Sequence, residues 1–254
     1  MAILRSFIHN PRVLLRPRHI LLLSHMRANT SLFGQILGDH PEIEGYYEMH
    51  MGYFSWKSLW RQRLNYFLSH DAKPGSKYIF DKILHNGHPV VDNVLKRHDV
   101  KLIFMLREPE QSVKSLVSLY RVELPRNPEA TVEGAVDYYL SRLMEMQRMA
   151  RPVAGRYTYL DAESLLDRPE QVLARLSTQL ELASPLSSSY TPRTMSGKRF
   201  AGDNSARLAS GAIERVKSNY ESIELSESQS VVLQDAYHAC RQALVQTSMG
   251  LMDA

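Results

Sequence analysis

The stretch "LLLSHMRANTSLFG", residues 21–34, decides how the chain is read. An apolar run ending at Leu23 enters a short polar loop, and the loop runs into "TSLFGQIL", which has the spacing of a helix. Strand, tight loop, helix is the layout of a phosphate-binding loop: backbone N–H groups turn inward, and the helix presents its positive end to an anion. Arg27 supplies a cation. Asn29 tolerates the left-handed backbone that glycine would otherwise provide, and Thr30 and Ser31 cap the helix and offer hydroxyls. The pattern G-x-x-x-x-G-K-[ST] and its magnesium-binding context are absent, which argues against a metal-dependent nucleoside triphosphatase. Taken alone the loop is a weak signal, because a plain capped helix after a strand carries the same residues.

Working outward, "HILLLS" (19–24) reads as a buried strand, and "TSLFGQILGDH" (30–40) as a helix that ends before Pro41. "EIEGYYEM" (42–49) is a short strand or extended segment. "YFSWKSLWRQRLNYFLSH" (53–70) is an amphipathic helix whose Trp56, Trp60, Leu64 and Phe67 share a face. That stripe is expected to be core, with an acceptor-pocket wall as the second reading. "KPGS" (73–76) is a turn, "KYIFDKIL" (77–84) a strand, "HPVVDNVLKRH" (88–98) a helix and "VKLIFML" (100–106) the clearest buried strand. Helices follow over 110–121, started by Pro109, and over 132–150. "GRYTYLD" (155–161) is a further strand, and 168–180 and about 226–245 are helices. Strands alternating with helices predict an α/β fold, a three-layer α/β/α arrangement around a central parallel sheet. From 184 to 211 the chain is polar and serine-rich, as expected of a loop over a site. No repeat or linker interrupts it, so residues 1–254 are expected to form a single domain with an N-terminal arm over 1–18.

The 254 residues are 44% hydrophobic and 23% charged, ordinary for a soluble globular protein. A net charge of +4 suits an anionic ligand or negatively charged surface and is too small to argue for nucleic acid. A single cysteine, Cys240, excludes an intrachain disulfide and argues against a zinc cluster. No apolar run approaches the roughly 20 residues of a membrane span. The basic N-terminus is interrupted by arginines and prolines and lacks the features of a signal peptide. It reads as an arm packed along the domain, with membrane-surface contact as the second reading. A cytoplasmic protein is expected.

"KLIFMLREPEQSVKSLVSLY" (101–120) strengthens the phosphate reading. Arg107 stands at the end of the strongest strand, and Ser115 lies eight residues on, two turns into the next helix. Ligands gather at the carboxyl ends of parallel strands, and an arginine with a hydroxyl makes a second phosphate clamp.

Four stretches in order resemble the sulfotransferase superfamily, whose donor is 3'-phosphoadenosine-5'-phosphosulfate (PAPS). "RANTSLFGQILGDHPEI" (27–43) looks like its 5'-phosphosulfate loop, R-S-G-T-[ST]-L, and "FMLREPEQSVKS" (104–115) like its 3'-phosphate motif, R-[DN]-P-x5-S. "DAESLLDRPEQVLARLSTQLEL" (161–182) looks like its Y-E-D-L-x-x-x-P segment, and "GKRFAGDNSARL" (197–208) like its late nucleotide-covering loop. Ala28 and Asn29 replace Ser-Gly, Glu108 replaces Asp or Asn, and Ala162 stands where tyrosine often faces adenine. Tyr159 or Tyr157 is left for that role.

The resemblance implies in-line, metal-independent transfer of a sulfuryl group to a hydroxyl or amine, with PAP as product. It gives Arg27, Ala28, Asn29, Thr30 and Ser31 to the 5'-phosphosulfate, Arg107 and Ser115 to the 3'-phosphate, and Lys198 and Arg199 to closure over it. Lys82 matches a lysine after the third strand that donates to the departing group. Glu48, 21 residues after Arg27, matches a base used in several subfamilies, with His85 and His50 as rivals. The acceptor class stays open: glycan, lipid-linked sugar, natural product or other small molecule. Two alternatives remain, a P-loop small-molecule kinase and a non-catalytic PAP- or nucleotide-binding protein on the same scaffold.

Overall fold

The computed structural model describes residues 17–193, 206–215 and 220–250. Five strands form one parallel sheet: β1 (Arg18–Ser24), β2 (Ile43–Glu44), β3 (Tyr78–Ile83), β4 (Val100–Leu106) and β5 (Tyr157–Asp161), in the order β2-β3-β1-β4-β5. The central strand is β1, with Leu23 opposite Ile83 of β3 and Phe104 of β4. The chain visits β2 and β3 on one side of β1 and then crosses to β4 on the other. The carboxyl end of β1 is therefore the point where the strand order reverses, the usual crevice for a ligand in such a sheet.

Both faces are covered, and the strands bury nearly every side chain they carry, most of them apolar. Ile20, Leu22, Ile103 and Met105 pack with α1 (Thr30–Asp39) and, later in the chain, α6 (Ala162–Asp167) and α7 (Pro169–Gln179). Leu21, Leu23, Leu102 and Phe104 face the other way, toward α4 (Pro109–Glu123), α5 (Val132–Ala150) and α9 (Glu227–Gln246). The period-2 alternation of strand side chains thus splits the core into two apolar layers, as a three-layer α/β/α fold requires. A short helix, α8 (Ala206–Ala209), lies between α7 and α9 in sequence.

Three expectations change. The helix expected over 88–98 shrinks to α3 (Asp92–Leu95). Tyr53 and Val90 form a bridge, with the Tyr53 N–H donating to Pro89 O at 2.7 Å and the Val91 N–H to Tyr53 O at 3.0 Å. That pairing and two β-branched valines keep the segment extended. The tryptophan stripe of α2 (Trp56–Phe67) is not core: this helix buries Leu59, Gln62, Arg63, Tyr66 and Phe67, and Trp56 is 54% exposed. Trp56 and Trp60 instead line a groove with His19 and Asp99 at the amino ends of the strands, away from the crevice. Strand β1 begins at Arg18, inside the expected arm; residues 1–16 lie outside the described residues.

Candidate functional site

Strand β1 ends at Ser24, whose hydroxyl donates to Met105 O of β4 at 2.7 Å. The loop then turns through two left-handed residues, Arg27 at φ 66 and Asn29 at φ 57. Asn29 therefore takes the backbone shape expected of it. Thr30 and Ser31 do not cap: Asn29 is the N-cap residue without a side-chain capping bond, and Thr30 and Ser31 are the first two helical positions. The start of α1 therefore has no side-chain cap from Asn29, and an uncapped helix start is the kind of helix end that can receive an anion.

The loop is held from beneath by residues the sequence reading missed. His25 is fully buried; its Nε2 accepts the Arg107 N–H at 3.0 Å, and its Nδ1 lies 2.8 Å from Met26 O. Accepting at Nε2 puts the proton on Nδ1, which donates to Met26 O. Burial drives this imidazole down to about 4, so it stays neutral. The Tyr138 hydroxyl accepts from Met26 N–H and donates to Leu84 O, both at 2.7 Å. Arg142, 1% exposed, donates to Ser24 O at 2.8 Å and to Ile83 O at 2.6 Å. It thus ties the carboxyl ends of β1 and β3 together. The only sequence signal for this network was polar residues on the inward face of a long helix.

Above this base, two groups of side chains form. Arg27 Nε donates to Ser115 Oγ at 2.8 Å, and Arg107 Nη1 donates to Arg27 O at 2.8 Å. Lys82, at the end of β3 and 2% exposed, donates from Nζ to Ser31 Oγ at 3.1 Å. Glu48 lies across from Lys82. Its Oε1 is buried without a hydrogen-bond partner, 3.6 Å from His50 Nδ1 and 3.8 Å from His85 Nε2. Burial raises the Glu48 carboxyl above the usual range, while the charges of Lys82, His50 and Arg142 pull it back. His85 is lowered to about 4, mainly by burial and then by the neighbouring His50 and His88. A cleft joins these groups: Arg27, Thr30, Ser31, Glu48, His50, Lys82 and His85 line one side, and Leu84, Leu119, Tyr120 and Leu124, with the Glu123 carboxylate among them, the other.

Close packing puts Glu48 there. A Cβ on Gly34 of α1 would stand 2.3 Å from Tyr46 O, so only glycine lets the segment after β2 run this near the helix. Asp81 then holds that segment to β3, accepting the Met49 N–H at 2.9 Å and the Tyr53 hydroxyl at 2.6 Å.

No family model and no curated protein matches the chain. Solved structures do. The sulfotransferase domain from the Synechococcus PCC 7002 olefin synthase matches with TM-score 0.52 at 15% identity, over 87% of this chain and 94% of that one. The sulfotransferase domain from the curacin biosynthetic pathway matches with TM-score 0.50 at 14% identity, over 88% and 98%. Mouse sulfotransferase SULT7A1, solved in complex with PAP, matches with TM-score 0.55 at 11% identity, over 94% and 87%. The chain has the sulfotransferase fold.

On this sulfotransferase fold, most of the expected site residues converge. Arg27, Thr30, Ser31, Glu48, Lys82 and His85 share the cleft, His50 stands at its rim, and Arg107 and Ser115 join it through Arg27. Ala28 and Asn29 belong to the loop itself. Tyr159 and Tyr157 are not brought to it. Both are fully buried in β5, the Tyr159 hydroxyl donating to Asp161 Oδ1 at 2.5 Å and the Tyr157 hydroxyl to Leu244 O at 2.7 Å. Lys198 and Arg199 lie outside the described residues. Of the expected covering loop, 184–193 runs along α1, with the Thr191 N–H on Asp39 Oδ1 and the Arg193 N–H on Gln35 Oε1, both at 3.2 Å.

Proposed function

We propose that this protein transfers a sulfuryl group from PAPS to a hydroxyl acceptor on a small molecule with an apolar body. The observation that carries the reading is the convergence of Arg27, Arg107 and Ser115 with the Lys82–Ser31 pair around an uncapped helix start at the carboxyl ends of β1, β3 and β4. That donor set, two guanidiniums, an ammonium, hydroxyls and helix N–H groups, fits the phosphate and sulfate oxygens of PAPS. The bound donor supplies an activated sulfuryl group on a 5'-phosphate leaving group.

The chain's own groups do the rest. Arg107 and Ser115 bind the 3'-phosphate, and the loop N–H groups with Arg27 bind the 5'-phosphate. Lys82, nearly buried, places a fixed positive charge where negative charge grows on the departing bridging oxygen; such preorganised charge is strongest in a water-poor site. Glu48 takes the acceptor's proton on Oε1, an oxygen with no competing donor. The acceptor oxygen then bonds to sulfur, the bond from sulfur to the bridging oxygen breaks, and PAP leaves. The wall of Leu84, Leu119, Tyr120 and Leu124 favours an acceptor with apolar surface beside its hydroxyl.

Calorimetric titration of the purified protein with PAP, with ATP as the control and no metal added, tests this reading. Micromolar PAP binding with negligible ATP binding is expected. ATP binding of equal strength would return the kinase reading, and no PAP binding would end the transfer reading.

A further inference from the structure

Three histidines gather at one side of the cleft, His50 and His85 lining it and His88 packed beside both, more than proton transfer needs. Glu48 and His50 come from the extended segment after β2. His85 and His88 bracket a turn after β3, closed by the His88 N–H donating to His85 O at 3.1 Å. Two segments thus bring a carboxylate and imidazoles, the ligand types of a zinc site, to one place. Ligand atoms of Glu48, His50 and His88 all lie within 4.8 Å of one another. Ligands of a tetrahedral zinc ion, each 2.0–2.2 Å from it, sit about 3.4 Å apart, so closure asks only for small side-chain rotations.

Two further observations point to a ligand. The Glu48 Oε1 is buried and accepts no hydrogen bond, although His50 Nδ1 stands 3.6 Å away and His85 Nε2 3.8 Å away. Those separations are too long for hydrogen bonds to Oε1. A buried carboxylate oxygen left this way is costly, and a bound cation would satisfy it. His50 also holds φ 49, a left-handed conformation that costs a non-glycine residue energy, at the spot where its ring meets Glu48.

We propose that Glu48, His50 and His88 form a binding site for a divalent ion of the zinc type, with His85 beside it. Two imidazoles and a carboxylate select Zn2+ or Co2+ over Mg2+. The scarcity of cysteine does not bear on a site built from nitrogen and oxygen donors. Resting on the transfer reading, the consequence is inhibition: an ion on Oε1 occupies the lone pair that the acceptor proton needs. The site makes the enzyme zinc-inhibited, and a chelator restores it.

The test uses the full, untagged chain titrated with Co2+ by visible absorption and with Zn2+ by calorimetry, with Mg2+ as control. One ion per chain is expected, with the ligand-field bands of a low-coordinate cobalt site that Zn2+ displaces and Mg2+ does not. His88→Ala and His50→Ala should each weaken binding at least tenfold, losing a ligand being worse than losing a supporting contact. PAP affinity of His88→Ala should be unchanged, which also reports that it is folded. No saturable binding, or binding in the variants as tight as in the parent, overturns the site. PAP binding without ion binding sinks the site and leaves the transfer reading. Ion binding without PAP binding does the reverse.

Discussion

Arg107 does two jobs at once. Its N–H is fixed by His25, and its guanidinium reaches back to Arg27 O across the loop. On the proposed reading, Arg107→Ala removes a phosphate donor and loosens the loop that carries the other. PAP affinity should fall by at least about 2 kcal/mol, the scale of a lost charge-assisted hydrogen bond. Unchanged affinity in a calorimetric titration would remove this arginine from the donor site. Glu48 separates binding from chemistry. Glu48→Gln keeps the shape and removes the proposed base, so PAP binding should persist while transfer falls by about a hundredfold or more. Retained turnover, measured with any acceptor found, would shift the base to His85.

At the scale of elements, the contact between α1 and the segment after β2 sets the distance from the loop to Glu48. Gly34→Ala adds a Cβ where Tyr46 O already stands, and a backbone atom does not rotate away. The segment must shift and carry Glu48 with it. Transfer should drop by about tenfold or more, since small misplacements of a catalytic group are costly, while PAP binding changes little. Equal loss of both would mean that α1, not the segment, had moved. This contact was not legible in the sequence, because nothing near Gly34 in the chain announces that Tyr46 passes over it. The strands were legible, since β1 and β4 are short apolar runs buried on both faces. Arg27, Arg107 and Ser115 were legible through motif order. His25, Tyr138 and Arg142 were not: Arg142 meets Ser24 across 118 positions, and such pairings leave no local pattern. The tryptophans of α2 misled because their helical spacing is that of a core stripe, while the face actually buried carries Gln62 and Arg63.

Across the whole molecule, β1 is bracketed by two buried histidines, His19 at its amino end and His25 beyond its carboxyl end. His19 shares its Nδ1 with Gln62 Oε1 at 2.7 Å and is lowered to about 4, first by burial, with Arg63 and Arg97 adding to the effect and Asp99 opposing it. A folded value below the unfolded 6.5 means that the unfolded chain binds more protons between pH 6.5 and 4. The stability that neutral His19 provides is thus present above pH 6.5 and drains away as pH falls toward 4. Asp81, raised to about 7 by burial, acts in the opposite sense, so the total pH curve mixes the two. A difference measurement isolates the histidine. His19→Asn should be less stable than the parent at pH 7, and the gap should narrow by roughly 1 kcal/mol at pH 5.5, the linkage expected of one such group. Urea denaturation at both pH values reads it. A gap that stays constant would mean that His19 does not titrate with unfolding, and that the acid sensitivity of the sheet lies with other groups.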